Sequence, residues 1–358
     1  MIGGEREHLI PYRDPGRRRD KAQNGRCGEM ANMPEMTLVG GVNAALAYEM
    51  AADDRVLVFG EDIGVNGGVF RATEGLQQRF GPERVIDTPL AEGLIAGMAV
   101  GLAAQGLRPV AEIQFMGFSY PTLDQLISHA SRLRNRTRGR LSCPMVLRAP
   151  FGGGIHAPEH HSESTEALYA HIPGLRVVIP SSPARAYGLL LAAIRDPDPV
   201  VFLEPKRIYR LTKQEVADDG EAMPLDVCFV VRDGTDITLV TWGAMIHETL
   251  QAAEQLAKEG ISAEVIDVAT LRPLDTETIL ESVAKTGRCV IIHEAPRSGG
   301  FGAEIAAVVA EHGLLNLLAP VARVTGYDTI MPLLKLEQHF LPSVERIMDT
   351  VHKTMEFA

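Results

Sequence analysis

A lone carboxylate, Glu92, precedes a segment that carries no other charge until Arg108. Three glycines spaced by four residues follow it, among mostly Ala, Val, Leu, Ile and Met. This pattern predicts a helix buried on every side, with Thr88 as its N-cap and Pro89 in its first turn. A carboxylate at such an end is partly desolvated and needs a proton or a specific donor, which suits acid–base chemistry. The alternative is a solvated glutamate that only complements the helix dipole.

Three histidines form a second candidate site, in the stretch GGGIHAPEHHSES: His156, His160 and His161. A loop histidine at the end of a sheet is suited to general acid or base catalysis, because its ordinary pKa lies near neutral pH. A solvated polar loop and a metal site are the alternatives. The neighbouring Gly and Pro residues disfavour a regular helix and therefore the metal site.

The stretch EIQFMGFSYP places Gln114, Phe115 and Phe118 at a predicted strand end. These side chains would form a flat apolar wall with one amide, which suits contact with a planar ring. Core packing is the alternative for the aromatic rings.

Helical and strand patterns alternate along the chain, and the strand patterns are short β-branched runs bounded by Gly and Pro. Such runs are typical of parallel sheets covered on both faces. The polar, aperiodic residues 206–224 predict a linker between two domains. We therefore predict an α/β fold with a first domain at 37–205 and a second at 225–358, preceded by a disordered extension at 1–36.

The composition narrows the class of protein. The formal net charge of −11 and the pI of about 5.5 argue against nucleic acid as a partner. The longest uncharged apolar run is too short to span a bilayer, so no membrane contact is expected. The four cysteines include no Cys-x-x-Cys pair, which predicts reduced thiols in a cytosol-like compartment.

Several cofactor motifs are missing from the sequence. There is no Walker loop, and the glycine-rich stretches GVNGGVF, FGGGIH and SGGFGAE do not fit a Rossmann fingerprint. No Gly-x-Ser-x-Gly elbow is present, which disfavours a serine hydrolase. The Gly-Asp-Gly segment with a distant Asn, which holds a metal diphosphate in thiamine enzymes, is absent as well.

Read together, the segments resemble the beta subunit of the thiamine-diphosphate-dependent decarboxylating component of 2-oxo acid dehydrogenase complexes. The matching motifs run in family order from about residue 37 to the C-terminus: VLVFGEDIG, GGVFRATEGL, DTPLAEGLIAGMAVGLA, EIQFMGFSYPTLDQ, HHSESTEA, GLRVVIPSSP, DPVVFLEPKRIYR, EVIDVATLRPLD and KTGRCVIIHEAPRSGGFGAEI. The implied fold is transketolase-like, a pyrimidine-binding α/β domain followed by a transketolase C-terminal α/β domain.

The resemblance assigns roles to individual residues. It places Glu92 against N1′ of the cofactor aminopyrimidine, where an acid is needed to hold a proton. Gln114 and Phe118 match positions beside the pyrimidine ring, and Leu90 matches a position that packs near it. His161 matches a histidine that faces the reaction centre and assists acyl transfer to a lipoyl arm. A structural potassium site is also implied, at positions matching Cys143, Met145, Val146, Ala193, Asp196 and Asp198.

The missing diphosphate motif fits this resemblance, because in these complexes the magnesium diphosphate is held by a separate alpha subunit. The chain is therefore expected to be inactive alone and to work as an α2β2 heterotetramer. The helix glycines, Gly93, Gly97 and Gly101, are then candidates for close subunit packing. The C-terminal domain is expected to dock a dihydrolipoyl acyltransferase core.

The implied reaction is oxidative decarboxylation of a small 2-oxo acid with acyl transfer to a lipoyl lysine, in the cytoplasm of a bacterial cell. Pyruvate is the first choice of substrate, with branched-chain 2-oxo acids and acetoin as alternatives. A self-sufficient transketolase-type carboligase and a non-catalytic assembly protein are the rivals from other classes. The first would need a diphosphate-binding domain, and the second would not need Glu92 and His161.

Overall fold

The computed structural model describes residues 33–357, so the predicted disordered extension lies outside the described residues up to residue 32. The strands are β1 (Glu35–Met36), β2 (Val56–Gly60), β3 (Val85–Asp87), β4 (Arg108–Glu112), β5 (Val146–Phe151), β6 (Arg176–Val178), β7 (Val200–Pro205), β8 (Gln214–Glu215), β9 (Phe229–Arg232), β10 (Ile237–Thr241), β11 (Ala263–Asp267), β12 (Thr270–Arg272), β13 (Cys289–Pro296) and β14 (Ala322–Gly326). The α-helices are α1 (Leu38–Ala52), α2 (Leu76–Phe80), α3 (Glu92–Ala104), α4 (Leu123–Ser128), α5 (Leu133–Arg136), α6 (Glu166–Ala170), α7 (Pro183–Arg195), α8 (Ile246–Lys258), α9 (Thr276–Thr286), α10 (Gly302–His312), α11 (Glu337–Phe340) and α12 (Val344–Met355).

Two sheets organise the described chain. The first has the strand order β12-β6-β7-β5-β4-β2-β3, and all its neighbours are parallel except β12, which runs antiparallel to β6. The second has the order β14-β13-β10-β11-β9, parallel except for β9 at one edge. Strands β2, β5 and β7 are buried along their whole length, as the apolar runs predict for a sheet covered on both faces.

The two sheets are joined by packing and by strand pairing. Phe59 of the first sheet belongs to the same continuous hydrophobic cluster as Trp242 and Ile266 of the second. Strand β12 follows β11 in the chain but pairs with β6 of the first sheet. Strand β12, although it lies in the second domain's part of the chain, therefore completes the first sheet. No local sequence pattern indicates this long-range pairing.

Residues on either side of the predicted first domain also take part in it. Glu35 and Met36 pair with Glu215 and Gln214, although the former were predicted as part of the disordered extension and the latter as linker. Thr37 then caps α1 by accepting a hydrogen bond from the Gly40 amide at 3.2 Å. This pairing gives the backbone groups on both segments their partners.

A buried ion network lies beneath the candidate site. Arg148 of β5 donates to Glu112 Oε2 at 2.8 Å and to the two carboxylate oxygens of Glu204 at 2.6 and 3.0 Å. Tyr209 donates its hydroxyl proton to Glu204 at 2.5 Å. Burial raises the pKa of the Glu112 carboxyl, and the Arg148 charge opposes that shift. The sequence patterns did not reveal this network, because its members lie on three different strands and one turn.

We expect Arg148→Met to lower the free energy of unfolding by about 3–5 kcal/mol, because it leaves two buried carboxylates without their common cation. Arg148 is 1% exposed, so water cannot replace the lost donor. Urea denaturation measures the loss. Arg55→Met is the control, since Arg55 pairs with Asp53 on the surface, and a loss as small as that of the control would contradict the expectation.

No helix within residues 33–357 combines the length and apolar character that a membrane crossing requires.

Candidate active site

The candidate site is built at the carboxyl ends of neighbouring parallel strands. Glu61 and Asp62 follow β2, and Gln114 follows β4, which pairs with β2. The Gln114 amide nitrogen lies 3.5 Å from Asp62 Oδ2. Asp62 has a left-handed backbone with φ of 56°, which turns the chain sharply after the strand. Ligand sites in such sheets form at this edge, where side chains after successive strands converge.

Glu92 occupies the first position of α3, close enough to Glu61 for the two carboxylates to interact. Burial, then the charges of Glu92 and Asp62, raise the pKa of Glu61 above its ordinary value. Glu61 is 6% exposed, and its Oε1 is buried with no hydrogen-bond partner among the described residues. A buried carboxyl whose ionisation is opposed by burial and by neighbouring charges is suited to holding a proton.

The start of α3 differs from the prediction. The helix begins at Glu92 with Ala91 as N-cap and no capping side chain, so Thr88 and Pro89 precede it rather than cap it. The Thr88 hydroxyl is buried without a hydrogen-bond partner among the described residues. Residues 89–91 are not helical and separate Thr88 from the start of α3, so its side chain is too far along the chain to cap the helix.

The prediction that α3 is buried on every side is wrong for this chain. Leu94 is 55% exposed and Leu90, just before the helix, is 79% exposed. Gly101 is also exposed, and no atom lies within 4 Å of where its Cβ would be. An apolar helix with an open face requires a partner to exclude water from it.

The three helix glycines therefore have different surroundings. A Cβ at Gly93 would lie 3.5 Å from the Pro121 carbonyl oxygen, and one at Gly97 would lie 3.4 Å from Gln125 Oε1. These two positions allow close approach within the chain itself. Only Gly101 remains open to another subunit.

The three candidate histidines have different surroundings in the structure. The His161 ring lies 4.6 Å from Phe115 and 5.0 Å from Phe118, measured between ring centroids. Its Nδ1 is buried without a hydrogen-bond partner among the described residues. His160 is exposed and contacts Phe118 from another direction, whereas the exposed His156 ring pairs with Glu337 at 3.1 Å. The structure thus brings His161 and Phe118 together, as one wall of the site.

The three histidines do not form a metal centre. Across residues 33–357, no group of three or more His, Cys, Asp or Glu side chains is placed to hold a metal ion. Acid–base chemistry and a solvated polar loop are the interpretations that stand for His161, and its buried, unpartnered Nδ1 favours the first.

The two segments predicted to form a potassium site lie against each other. The Cys143 amide donates to the Pro197 carbonyl at 3.2 Å, and Asp196 accepts from the Asp198 amide at 2.8 Å. Pro197 has no amide hydrogen, so the Ala193 carbonyl does not receive the hydrogen bond that a continuing helix would supply. The remaining predicted positions are Met145, whose carbonyl accepts from Val200, and Val146 at the start of β5. The carboxylates of Asp196 and Asp198 already pair with Arg176 at 2.9 Å and Arg134 at 2.7 Å.

Glu61 is the site residue that the sequence analysis did not single out. It stands in the quoted motif VLVFGEDIG, directly after a buried strand. A carboxylate at the end of a fully apolar strand is a usable signal, because parallel strand ends converge at one edge of the sheet. Its neighbour Asp62, which contacts Gln114, carries the same signal.

Replacement of Glu61 should increase stability while it damages the site. Because burial raises the pKa of Glu61, the folded chain holds that proton more tightly than the unfolded chain, so its carboxylate lowers stability once the pH exceeds the ordinary glutamate range. We expect Glu61→Gln to raise the free energy of unfolding by roughly 1 kcal/mol at neutral pH and to change it little near pH 4. Urea denaturation at both pH values measures this, and a loss of stability at neutral pH would contradict it.

The fold is that of a known class of protein. Residues 35–212 match the family model "Transketolase, pyrimidine binding domain", and residues 227–347 match "Transketolase, C-terminal domain". A solved structure, "Split gene transketolase, inactive beta4 tetramer", is similar with a TM-score of 0.75 over 90% of this chain and 99% of that chain. At 23% identity, that likeness bears on the fold alone. The chain thus has the transketolase-like two-domain α/β fold that the resemblance implies.

Two similar proteins identify the family more narrowly. The chain is 50% identical over 325 residues to "Pyruvate dehydrogenase E1 component subunit beta" of Bacillus subtilis (strain 168), covering 91% of this chain and all of that protein. It is also 50% identical over 321 residues to the protein of the same name from Acholeplasma laidlawii, covering 90% of this chain and 98% of that protein. The chain belongs to the family of pyruvate dehydrogenase E1 component beta subunits.

Proposed function

We propose that this chain is the beta half of an enzyme that oxidatively decarboxylates pyruvate and transfers the acetyl group to the lipoyl arm of a dihydrolipoyl acyltransferase. The buried Glu61 carboxylate with its unpartnered oxygen, at the sheet edge that also holds Gln114 and the start of α3 at Glu92, is the observation that carries the proposal. The relatives at 50% identity favour pyruvate over branched-chain 2-oxo acids and acetoin. They also disfavour the carboligase and assembly-protein alternatives.

The residues at this edge fit the aminopyrimidine end of thiamine diphosphate. Glu61 leaves a buried carboxylate oxygen without a partner, Gln114 supplies an amide, and Phe118 supplies an apolar wall. When bound, thiamine diphosphate supplies the electron sink for decarboxylation. In this proposal the Glu92 carboxyl oxygen holds a proton toward the ring nitrogen, and Glu61 keeps that proton from being lost to water.

His161 has a separate task in this proposal. Its ring lies edge-on to Phe115 and Phe118, and its buried Nδ1 has no hydrogen-bond partner among the described residues. We assign to it proton movement during acyl transfer to the lipoyl sulfur. Leu90, exposed beside Glu92, would then contact the ring only once a second subunit covers it.

The proposed assembly is an α2β2 heterotetramer in which the alpha subunit holds the diphosphate and its magnesium. The exposed Leu90 and Leu94 support a covering subunit at this edge. For the acyltransferase core we propose the C-terminal domain, where Leu314, Leu315 and Leu318 are exposed. The bacterial relatives support the cytoplasm as the compartment of this assembly.

The proposed function is tested by co-expressing the chain with its alpha subunit. Decarboxylation is assayed with thiamine diphosphate, magnesium and an artificial electron acceptor, using pyruvate and 3-methyl-2-oxobutanoate in parallel. We expect a clear preference for pyruvate. Preference for the branched substrate would move the assignment to that alternative, and no activity from a well-formed heterotetramer would overturn the proposed reaction.

We also propose a potassium ion at the six predicted positions around Ala193 and Asp196. The Ala193 carbonyl, which receives no helical hydrogen bond from Pro197, lies at the negative end of the α7 dipole, and this supports a cation there. Exchange of potassium for tetramethylammonium at constant ionic strength is expected to lower the melting temperature by several degrees, as loss of about 1–2 kcal/mol predicts. Asp198→Ala should abolish that difference. An unchanged melting temperature in the wild type would remove the ion from the proposal.

A further inference from the structure

The loop that carries His161 is closed at its base. Residues 152–164, here called the histidine loop, begin and end side by side, because the Gly152 amide donates to the Glu163 carbonyl at 2.9 Å. The loop contains only a short 3₁₀ turn at Glu159–His161. Little regular structure within the loop therefore fixes the position of its histidine.

Glu337 of the second domain holds the first part of the histidine loop. Its carboxylate accepts from the Gly154 amide at 2.5 Å and from the His156 amide at 2.9 Å, and it pairs with His156 Nδ1 at 3.1 Å. His156 has a left-handed backbone with φ of 56°, an unfavourable conformation that needs such support. Glu337 is 1% exposed, so these are buried contacts of a charged group.

Glu294 of the second domain holds both ends of the same loop. Its Oε1 accepts from the Gly153 amide at 3.2 Å and from the Ser164 hydroxyl at 2.7 Å. Arg207, Lys206 and Ser164 oppose the rise in pKa that burial imposes on Glu294. Lys206 also donates to the Gly152 carbonyl. Two buried carboxylates of the second domain thus hold this loop, and the buried Lys206 ammonium, just after β7, adds a further contact.

Close contacts with neighbouring side chains explain the glycines of the stretch FGGGIH. A Cβ at Gly152 would overlap the Glu294 carboxylate, and a Cβ at Gly154 would overlap the Arg207 side chain. Gly152 and Gly154 also have positive φ, at 85° and 89°. The glycine run, which fits no nucleotide fingerprint, lets Glu294 of the second domain and Arg207, which follows β7, approach the loop backbone.

The histidine loop also borders an open cavity. A cavity of about 480 Å³ lies between the loop and the second domain, lined among others by Ser162, Ser164, Glu294, Met331 and Phe340. A loop bordered by such a cavity depends on its hydrogen bonds for position.

From this geometry we propose that Glu294 and Glu337 are positioning residues for His161, acting across the domain boundary through the histidine loop. The inference rests on the proposed function, in which His161 serves acyl transfer. It assigns a part in the reaction to the second domain, because that domain fixes the position of His161. Neither carboxylate touches the reacting atoms.

The test uses the assembled α2β2 complex with Glu337→Gln and, separately, Glu294→Gln. Hydrogen exchange of residues 153–162 is measured first, and we expect faster exchange in both variants. Acyl transfer to a lipoyl domain should fall about 10- to 100-fold, as expected for a misplaced catalytic group, while decarboxylation with an artificial acceptor stays within about threefold. A purely structural role would lower both activities together.

Glu264→Gln is the matched control. Glu264 is also a buried carboxylate of the second domain that accepts from a backbone amide, that of Gly234 at 3.4 Å, but it lies in the sheet away from the loop. Unchanged loop exchange in both Gln variants would overturn the proposal, as would a ratio of the two activities equal to that of the control. A wild-type complex without either activity would overturn the proposed function. The hydrogen-exchange rates of the loop would then test, independently of activity, whether Glu294 and Glu337 hold the histidine loop in place.

Discussion

Glu92→Gln is expected to slow turnover of the assembled complex by roughly 10²- to 10⁴-fold, the loss typical of a missing acid–base group, while assembly remains intact. Glutamine keeps the size and polarity of the side chain but cannot hold or release the proton. The position of Glu92 near the buried Glu61 favours a role beyond that of a solvated first-turn glutamate. Steady-state decarboxylation with an artificial acceptor measures the loss, and size-exclusion chromatography checks assembly.

The matched control for Glu92 is Glu277→Gln. Glu277 is an exposed glutamate in the first turn of α9 and complements a helix dipole in the same way. We expect the control to retain turnover within about twofold, because exposed charges of this kind contribute little. Wild-type turnover in Glu92→Gln would remove Glu92 from the mechanism and restore the dipole interpretation.

His161→Ala is expected to reduce acyl transfer to a lipoyl domain by roughly 10²- to 10⁴-fold. Decarboxylation with an artificial acceptor should fall less, since that assay bypasses the lipoyl sulfur. Reductive acylation of an isolated lipoyl domain, followed by mass spectrometry, separates the two steps.

His160→Ala is the control for His161. The neighbouring His160 is exposed and also contacts Phe118, but no buried unpartnered nitrogen marks it as a proton carrier. An equal loss in the two variants would indicate a general effect on the loop and would contradict a specific role for His161.

The individual strands of the fold were predictable, because each depends on residues that are close together in the sequence. The short strand patterns bounded by Gly and Pro form buried parallel strands, for example at 56–60 and 146–151. The pairing of β12 with β6 was not predictable, since it joins segments about ninety residues apart across the domain boundary. The same holds for Glu35 and Met36, whose short strand depends on a partner in the predicted linker.

The candidate site was predictable in its parts and not in its arrangement. Glu92 and Phe118 could be selected by residue type and neighbours, but the contact of Phe118 with His161 depends on how the histidine loop is held. The prediction of an all-round buried α3 is wrong because hydropathy does not distinguish burial in the chain from burial in a complex. Glu294 and Glu337 gave no signal, since their partners are backbone amides more than a hundred residues away.

The central claim is that this chain holds one half of a shared cofactor site. The most direct measurement is thiamine diphosphate binding by calorimetry, in the presence of magnesium, to the chain alone, to the alpha subunit alone and to the assembled complex. The account predicts tight binding only by the complex, and weaker binding when the complex carries Glu92→Gln. Tight binding by this chain alone would contradict the account, because the chain would then contain a complete cofactor site.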